Sequence, residues 1–568
     1  MSIAKSLLKI EKVLKYISRK YKLYIVFILL IAQLSTTLFG QFKPPIFTRQ
    51  DTLRGSITPE RSWWDIVYYH LDVAVNPADS TVKGSNTVFY KILQPAAVMQ
   101  IDLQEPMKVT RAVQNNNDLV FQREGNVYWI QMNDNQVVGA INSVTIHFEG
   151  RPPVSVRPPW EPAFTWSRDS KGMPFIANAN QGAGASVWWP CKDHMYDEPD
   201  SMLISVTAPE KLMDVSNGKL RSVVKNKDKT RTFNWFVSNP INNYGVNVNI
   251  ADYAHFSEVF QGEGGDLACD YYVLKENLAK AKKQFKQVPM MLEAFEHWFG
   301  KYPFYEDGFK LVEVPYLGME HQSSVTYGNG YRNGYRGTDL SDSGWGLKFD
   351  FIIIHEAGHE WFANSITNKD VADMWVHESF TNYSENLYLE YHFGKEAGRD
   401  YVLGTRRLIR NDRPIVGIYD VNFEGSGDMY YKGGNMLHTL RQIVNDDDKW
   451  RSILREMNVK FYHTVVTGAE IENFLSEKTG VNLNPFFNQY LRDVRIPVFE
   501  HYVKNNELTY RWNNCVDGFN MPVRIFVSGK PLDISPTTQF NTVKLDVNNA
   551  EIKIDPNYYV DAINTTSN

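Results

Sequence analysis

The order of apolar and polar positions divides the chain into stretches of different texture. Across 65–269 short runs alternate with a period of two, as in His70-Leu71-Asp72-Val73-Ala74-Val75-Asn76 and Ser143-Val144-Thr145-Ile146-His147-Phe148-Glu149. Alternation sends successive side chains to opposite faces, so each run predicts a strand with one buried face. The runs recur with Pro, Gly, Asn and Asp between them, which predicts a sandwich or saddle of antiparallel strands. From about residue 270 the period lengthens to that of a helix. The stretches 276–299, 349–364, 371–393, 432–444 and 470–479 read as helices, and in 432–444 the residues Met436, Leu437, Leu440, Ile443 and Val444 line one face. One strand, 309–314, lies among them. After about Pro497 strands return at 507–512 and 523–527. The expectation is an α+β multidomain protein: an N-terminal antiparallel β-domain at 65–269, a mainly helical domain at 270–497 and a small C-terminal β-domain at 498–568. Residues 41–64, with Pro44, Pro45, Arg54 and Gly55, read as an extended leader.

The first forty residues differ from the rest. Lys5, Lys9, Lys12, Lys15, Arg19, Lys20 and Lys22 precede an apolar run over 23–32, and Ser35-Thr36-Thr37 and Gly40 follow it. The run falls short of the about 20 apolar residues of a membrane-spanning helix. A basic flank, a short apolar stretch and a small-residue exit predict a signal peptide cleaved near Gly40, hence a secreted or periplasmic protein. An uncleaved membrane anchor is the alternative.

A length of 568 residues exceeds one hydrophobic core and predicts about three domains. A formal charge of -5 leaves no basic stripe to neutralise a phosphate backbone, so nucleic acid is not an expected partner. Aromatic residues reach 14%, which suits broad β-surfaces and a lined cleft. Cys191, Cys269 and Cys515 are odd in number, far apart and outside any C-x-x-C pair, so neither a disulfide framework nor a cysteine-bound metal is expected.

The chemistry concentrates in His355-Glu356-Ala357-Gly358-His359-Glu360, an H-E-x-x-H motif inside a helical stretch. Histidines at i and i+4 share one helix face and can hold one zinc ion. Ala357 and Gly358 between them are small, so another element can pack close. Glu378 falls nineteen positions after His359, enough for a turn and a returning helix. Two His and one Glu leave the fourth position of a tetrahedral ion open, the mark of a catalytic site. Glu356 points about 100° away from the first ligand and is placed to take a proton from a water in that position. Glu360 reads as a surface or outer contact.

These residues resemble those of the gluzincin aminopeptidases of the aminopeptidase N type, a family that includes the leukotriene epoxide hydrolases. The resemblance spans about 69–499 and rests on four pieces. The zinc motif with its distal Glu is the first, although the family usually has Asn and Gly where this chain has His377 and Ser379. The second is Leu317-Gly318-Met319-Glu320-His321, similar to the exopeptidase motif G-A-M-E-N, with departures at Leu317, Gly318 and His321. There the resemblance implies that Glu320 binds the substrate's free amino group, with Gly318 and Met319 beside it. The third is Tyr430-Tyr431-Lys432-Gly433, similar to Y-x-K-G, which implies that Tyr430 stabilises the oxyanion. The fourth is Gln181-Gly182-Ala183-Gly184-Ala185, which implies that Gln181 helps hold the substrate N-terminus, with Cys191 a buried thiol.

The family resemblance implies a β-saddle, a thermolysin-like catalytic domain and a small β-domain, without the large helical C-terminal domain of many members. It implies a zinc aminopeptidase acting on peptides; an endopeptidase is disfavoured by Glu320. Two other segments are set aside: the glycine-rich 328–334 lacks phosphate-loop spacing and reads as a cleft loop, and Asp446-Asp447-Asp448 reads as a solvated helix end.

Overall fold

The N-terminal strands form an eight-stranded sheet in the order Lys219–Lys225, Thr230–Val237, Ser201–Pro209, Trp64–Asn76, Thr81–Ile92, Ile141–Gly150, Lys108–Gln114, Asn117–Asp118. The alternating runs at 70–76 and 143–149 lie in it as expected. One neighbour pair departs from the antiparallel expectation: Trp64–Asn76 runs parallel to Ser201–Pro209, with Tyr68 opposite Ser201. The long connection between them carries a three-stranded sheet and two strands of a four-stranded one, and local alternation does not encode such a non-local pairing. One apolar face of this region is closed by Trp188, Trp189 and Tyr69, all fully buried. In this computed structural model the described residues are 45–133, 136–547 and 550–565; the expected signal segment at 1–40 lies outside them. Phe47 to Asn568 form one compact unit.

The leader is not extended where it is described. Arg49–Gly55 and Pro59–Ser62 are short helices. Thr48 caps the first reciprocally: its hydroxyl accepts from the Asp51 amide at 3.4 Å, and the Asp51 carboxylate accepts from the Thr48 amide at 2.7 Å. Arg61, fully buried, donates to Asp102 at 2.7 Å and to the carbonyls of Arg54 and Ser56, tying the segment to the β-region.

A five-stranded sheet follows, ordered Tyr253–Gly262, Gly265–Leu274, Phe309–Glu313, Val325–Tyr327, Gly318–Met319. Gly265–Leu274 runs through residue 269 without a break and pairs in parallel with Phe309–Glu313. Gly318–Met319 is the outermost strand, so among the described residues one of its edges has no strand partner.

The helices that frame the site are α1 (Phe351–Gly358), α2 (Trp375–Phe393) and α3 (Tyr431–Val444). The stretch 276–299 is broken into Leu278–Gln284 and Gln287–Phe299, and Pro289 sits in the first turn of the second, where its missing N–H costs nothing. α1 stops at Gly358 with His359 as its cap. The chain then turns irregularly, with Ala363 at φ 154°, instead of continuing to residue 364. Helices at Lys395–Thr405, Asp447–Lys460 and Asn484–Arg492 were not expected. The acidic run starts one of them: Asp446 accepts from the Lys449 amide at 3.0 Å, and Asp447 pairs with Arg441 and Lys395. The C-terminal strands form a four-stranded and a three-stranded sheet whose core is continuous with that of the helices, through Tyr490, Trp512, Phe519 and Tyr559. Cys191, Cys269 and Cys515 are all free thiols.

Candidate active site

α1 is started by Asp350, whose side chain accepts from the Ile352 amide at 3.2 Å and is itself held by Tyr327 and Asn329 at 2.7 Å each. Ile352, Ile353 and Ile354 anchor the helix in the core, and His355 and His359 come out one turn apart on the same face. α2 packs on this helix at Gly358, where a Cβ would stand 2.7 Å from the Ser384 hydroxyl, so the small residue permits the approach. That packing brings Glu378 to the two imidazoles. Glu378 Oε2 lies 3.4 Å from His359 Nε2 and 3.7 Å from His355 Nε2.

The three groups fit a metal ion. Both imidazoles use Nδ1 elsewhere: that of His355 donates to Glu385 Oε1 at 2.8 Å, and that of His359 to the Phe362 carbonyl at 3.0 Å. Their Nε2 lone pairs are thereby left facing Glu378 Oε2, a buried oxygen with no hydrogen-bond partner among the described residues. Ligands at about 2.0–2.2 Å from a tetrahedral zinc stand roughly 3.4 Å apart, close to the spacing seen here. Burial alone would raise the Glu378 carboxyl. The attraction of the His359 and His355 rings beside it instead holds it well below the usual carboxylate range.

Sequence reasoning missed the support behind these ligands. Glu385 Oε1 also accepts from Asn382 at 3.1 Å, and Oε2 accepts from the Tyr401 hydroxyl at 2.7 Å. Thr381 reaches His359 Nδ1 at 3.1 Å. Glu378, Thr381, Asn382 and Glu385 follow the i, i+3, i+4, i+7 rhythm of one helix face, a signal that was present in the sequence. Outer partners of this kind typically change metal affinity 10–100-fold when removed. Glu385→Ala is expected to weaken zinc binding by about that factor, read by competition with a chelator; unchanged affinity would refute the assignment.

The other expected residues meet around the same point. Gly318, Met319, Glu320, Gln181, His355, Glu356, His359, Glu378 and Tyr430 all line one cavity of about 290 Å³. Gln181 Nε2 donates to Glu320 Oε1 at 2.8 Å and to Glu378 Oε1 at 3.2 Å, linking the β-domain loop to both carboxylates. Glu356 lies to the side of the three-ligand set; burial, with Glu320 nearby, pushes its carboxyl up to about 7. The Tyr430 ring stacks on His355 with centroids 5.9 Å apart. Tyr244, unforeseen, is buried beside Glu320, and burial followed by that charge raises its phenol well above the ordinary value.

Four of the five departures from the motifs have a local partner. A Cβ on Gly318 would meet Ile352 at 2.6 Å, so glycine suits the larger neighbour. His377 accepts from the Asn368 amide at 2.8 Å, and His321 contacts Thr326 at 3.3 Å; burial pushes both imidazoles down to about 3, keeping them neutral. The Ser379 hydroxyl donates to the Met429 carbonyl at 2.7 Å, next to Tyr430, and Gly433 leaves room for it. Glu360 is not at the surface: it is fully buried and accepts from the Ser323 amide at 2.8 Å, fixing the loop after Glu320. The glycine-rich loop does not line the catalytic cavity; Gly328, Asn329 and Gly330 line a separate depression with Val314, Pro315 and Tyr316.

A β-rich region joined to a helical one, with His355, His359 and Glu378 brought to one point, is the arrangement that the motifs led one to expect. The peptidase family M1 domain matches residues 284–490. Aminopeptidase N of Lactococcus lactis subsp. lactis is 26% identical over 235 residues, covering 38% of this chain and 27% of that protein. Probable aminopeptidase 1 of Saccharolobus solfataricus is 20% identical over 404 residues, covering 68% of this chain and 49% of that protein. The chain thus spans between about a quarter and a half of the length of these two curated relatives. Its fold is shared with the M1 zinc metallopeptidase of Deinococcus radiodurans, solved as a mutant bound to a Tyr-Ser-Ala substrate. The TM-score is 0.63 at 18% identity, over 76% of this chain and 95% of that one. These likenesses agree with the resemblance of the motifs to the gluzincin aminopeptidases of the aminopeptidase N type.

Proposed function

We propose that the protein is a zinc aminopeptidase that hydrolyses the first peptide bond of peptides with a free N-terminus. The observation that carries this is the Glu320 carboxylate, buried in the catalytic cavity and bridged by Gln181 to the ligand Glu378. A buried carboxylate there favours a cationic group and disfavours uncharged chain, so it admits a terminus and measures one residue from the metal.

His355, His359 and Glu378 would hold the zinc, which supplies Lewis acidity at the scissile carbonyl and makes a water easier to ionise. The chain's own residues do the rest. Glu320 receives the α-ammonium group, with Gln181 beside it. The free edge of Gly318–Met319 offers backbone donors and acceptors to an extended substrate, which adds as a further strand. Glu356 takes a proton from the attacking water and returns it to the leaving amine. The Tyr430 hydroxyl donates to the oxyanion that develops on the carbonyl. Glu385, steadied by Tyr401, keeps the His355 ring turned toward the metal.

The test is a panel of aminoacyl fluorogenic amides against N-acetylated counterparts, with Glu320→Ala in parallel. Free amines should be cut and acetylated ones not. Losing a charge-assisted contact worth about 1.5–3 kcal/mol should lower kcat/KM by roughly 10–150-fold. Internal cleavage of acetylated peptides would refute the reading.

A further inference from the structure

The catalytic cavity has two ends. At one, Glu320 shares a tight acidic cluster with Glu356 and His359. α1 runs from that end toward its own start. Phe351 lies one turn, about 6 Å, before His355 and about 12 Å before His359. A peptide whose amino group sits on Glu320 therefore sends the chain beyond its scissile bond toward Phe351.

That far end is built of rings. Phe351 stacks on His355 with centroids 5.0 Å apart, and Tyr335 meets Phe351 edge-on at 5.3 Å. Tyr431 stands beside Tyr430 at 6.4 Å, and Leu317 adds an aliphatic wall. The β-domain contributes Pro159 and Trp160 to the lining of the same cavity. Trp160 is 59% exposed although it is an indole, so the core does not account for it. Its turn is closed by backbone and polar bonds instead: Glu161 accepts from the amides of Val156 and Arg157 at 3.2 and 3.1 Å and pairs with the Arg157 guanidinium at 2.8 Å. Arg336 lies over the indole at 5.6 Å. The carboxylates that line the cavity, Glu320, Glu356 and Glu378, belong to the metal and amino ends.

We propose that Trp160, with Phe351, Tyr335 and Tyr431, forms the subsite for the side chain of the substrate's second residue, and that it selects a large apolar or aromatic one. This rests on the aminopeptidase reading. An extended substrate turns successive side chains to opposite sides, so the second side chain has one wall to meet, and Trp160 roofs it. Burying a Phe side chain there should favour it over Gly by about tenfold or more.

The test uses free-N-terminus peptides that share a first residue and carry Phe or Gly second, with the aminoacyl amide of the same first residue as reference. Wild type should show a Phe-to-Gly ratio in kcat/KM of about ten or more. W160A should cut that ratio at least fivefold, and W160F should keep most of it. A wild-type ratio near one, or a W160A loss shared equally by Phe peptide, Gly peptide and amide, overturns the proposal. Calorimetric binding of the same two peptides to zinc-loaded E356Q separates the two readings. Absence of turnover in wild type counts against the aminopeptidase, whereas a Phe-to-Gly binding ratio near one counts against the subsite.

Discussion

Glu356→Gln should lower kcat by roughly 10²–10⁴-fold while the protein keeps its zinc. The substitution preserves shape and removes a proton acceptor. Glu356 belongs to the catalytic cavity but not to the His355, His359 and Glu378 set whose atoms stand 3.4–3.7 Å apart, so the ion's donors survive. Three neighbouring carboxylates have other commitments: Glu320 is bonded by Gln181, Glu360 holds the Ser323 amide, and Glu385 orients His355. Steady-state rates together with elemental metal analysis decide the matter. A variant that retains its metal and loses turnover fits the role. A variant that loses both would make Glu356 a structural or ligating group, and one that keeps its rate would move the base elsewhere.

The sequence showed most clearly what one short segment encodes by itself. His355 and His359 are related by helix geometry alone, and a period of two marked the strands at 70–76 and 143–149. The spacing after His359 pointed to Glu378 and the resemblance to the exopeptidase motif pointed to Glu320, and both lie beside His359. What stayed hidden depended on distant partners. The parallel pairing of Trp64–Asn76 with Ser201–Pro209 joins segments far apart in sequence, which no local pattern records. Arg49–Gly55 is a helix because of a reciprocal cap between Thr48 and Asp51, while the prolines nearby suggested an extended chain. α1 ends at Gly358 because the chain must turn so that the Phe362 carbonyl can hold His359, a demand of the site that overrides helical periodicity. Glu385 was hidden for a different reason. A buried carboxylate on a helix is recognisable as an outer partner only when Tyr401 and His355 are seen to converge on it.

The departures from the family motifs follow the same logic. Ser379 stands where glycine is usual, and its hydroxyl is bonded to the Met429 carbonyl. Gly433, in the first turn of α3, has no side chain, and a Cβ there would stand 2.0 Å from the Ser379 oxygen. A side chain gained on α2 is thus matched by an absence on α3, and the pair fixes the peptide that precedes Tyr430. Positioning of the phenol is therefore a property of this helix contact as much as of the tyrosine itself.

Tyr430→Phe should consequently lower kcat by about 10²–10³-fold with little change in KM. The substitution removes one oxygen and keeps the ring, so the stack on His355 and the entry into α3 persist. Burial, followed by the nearby charges of Glu378 and Glu320, raises the phenol well above its ordinary value, so it stays a neutral donor. A neutral donor contributes little to binding an uncharged carbonyl and much to the oxyanion that forms from it, which is why the loss should fall on kcat. Separate kcat and KM values for Y430F on one aminoacyl amide provide the check. A rise in KM at constant kcat would make Tyr430 a substrate-binding group. A loss seen in Y431F and not in Y430F would shift the oxyanion role by one residue, to the ring that otherwise faces the leaving side of the cavity.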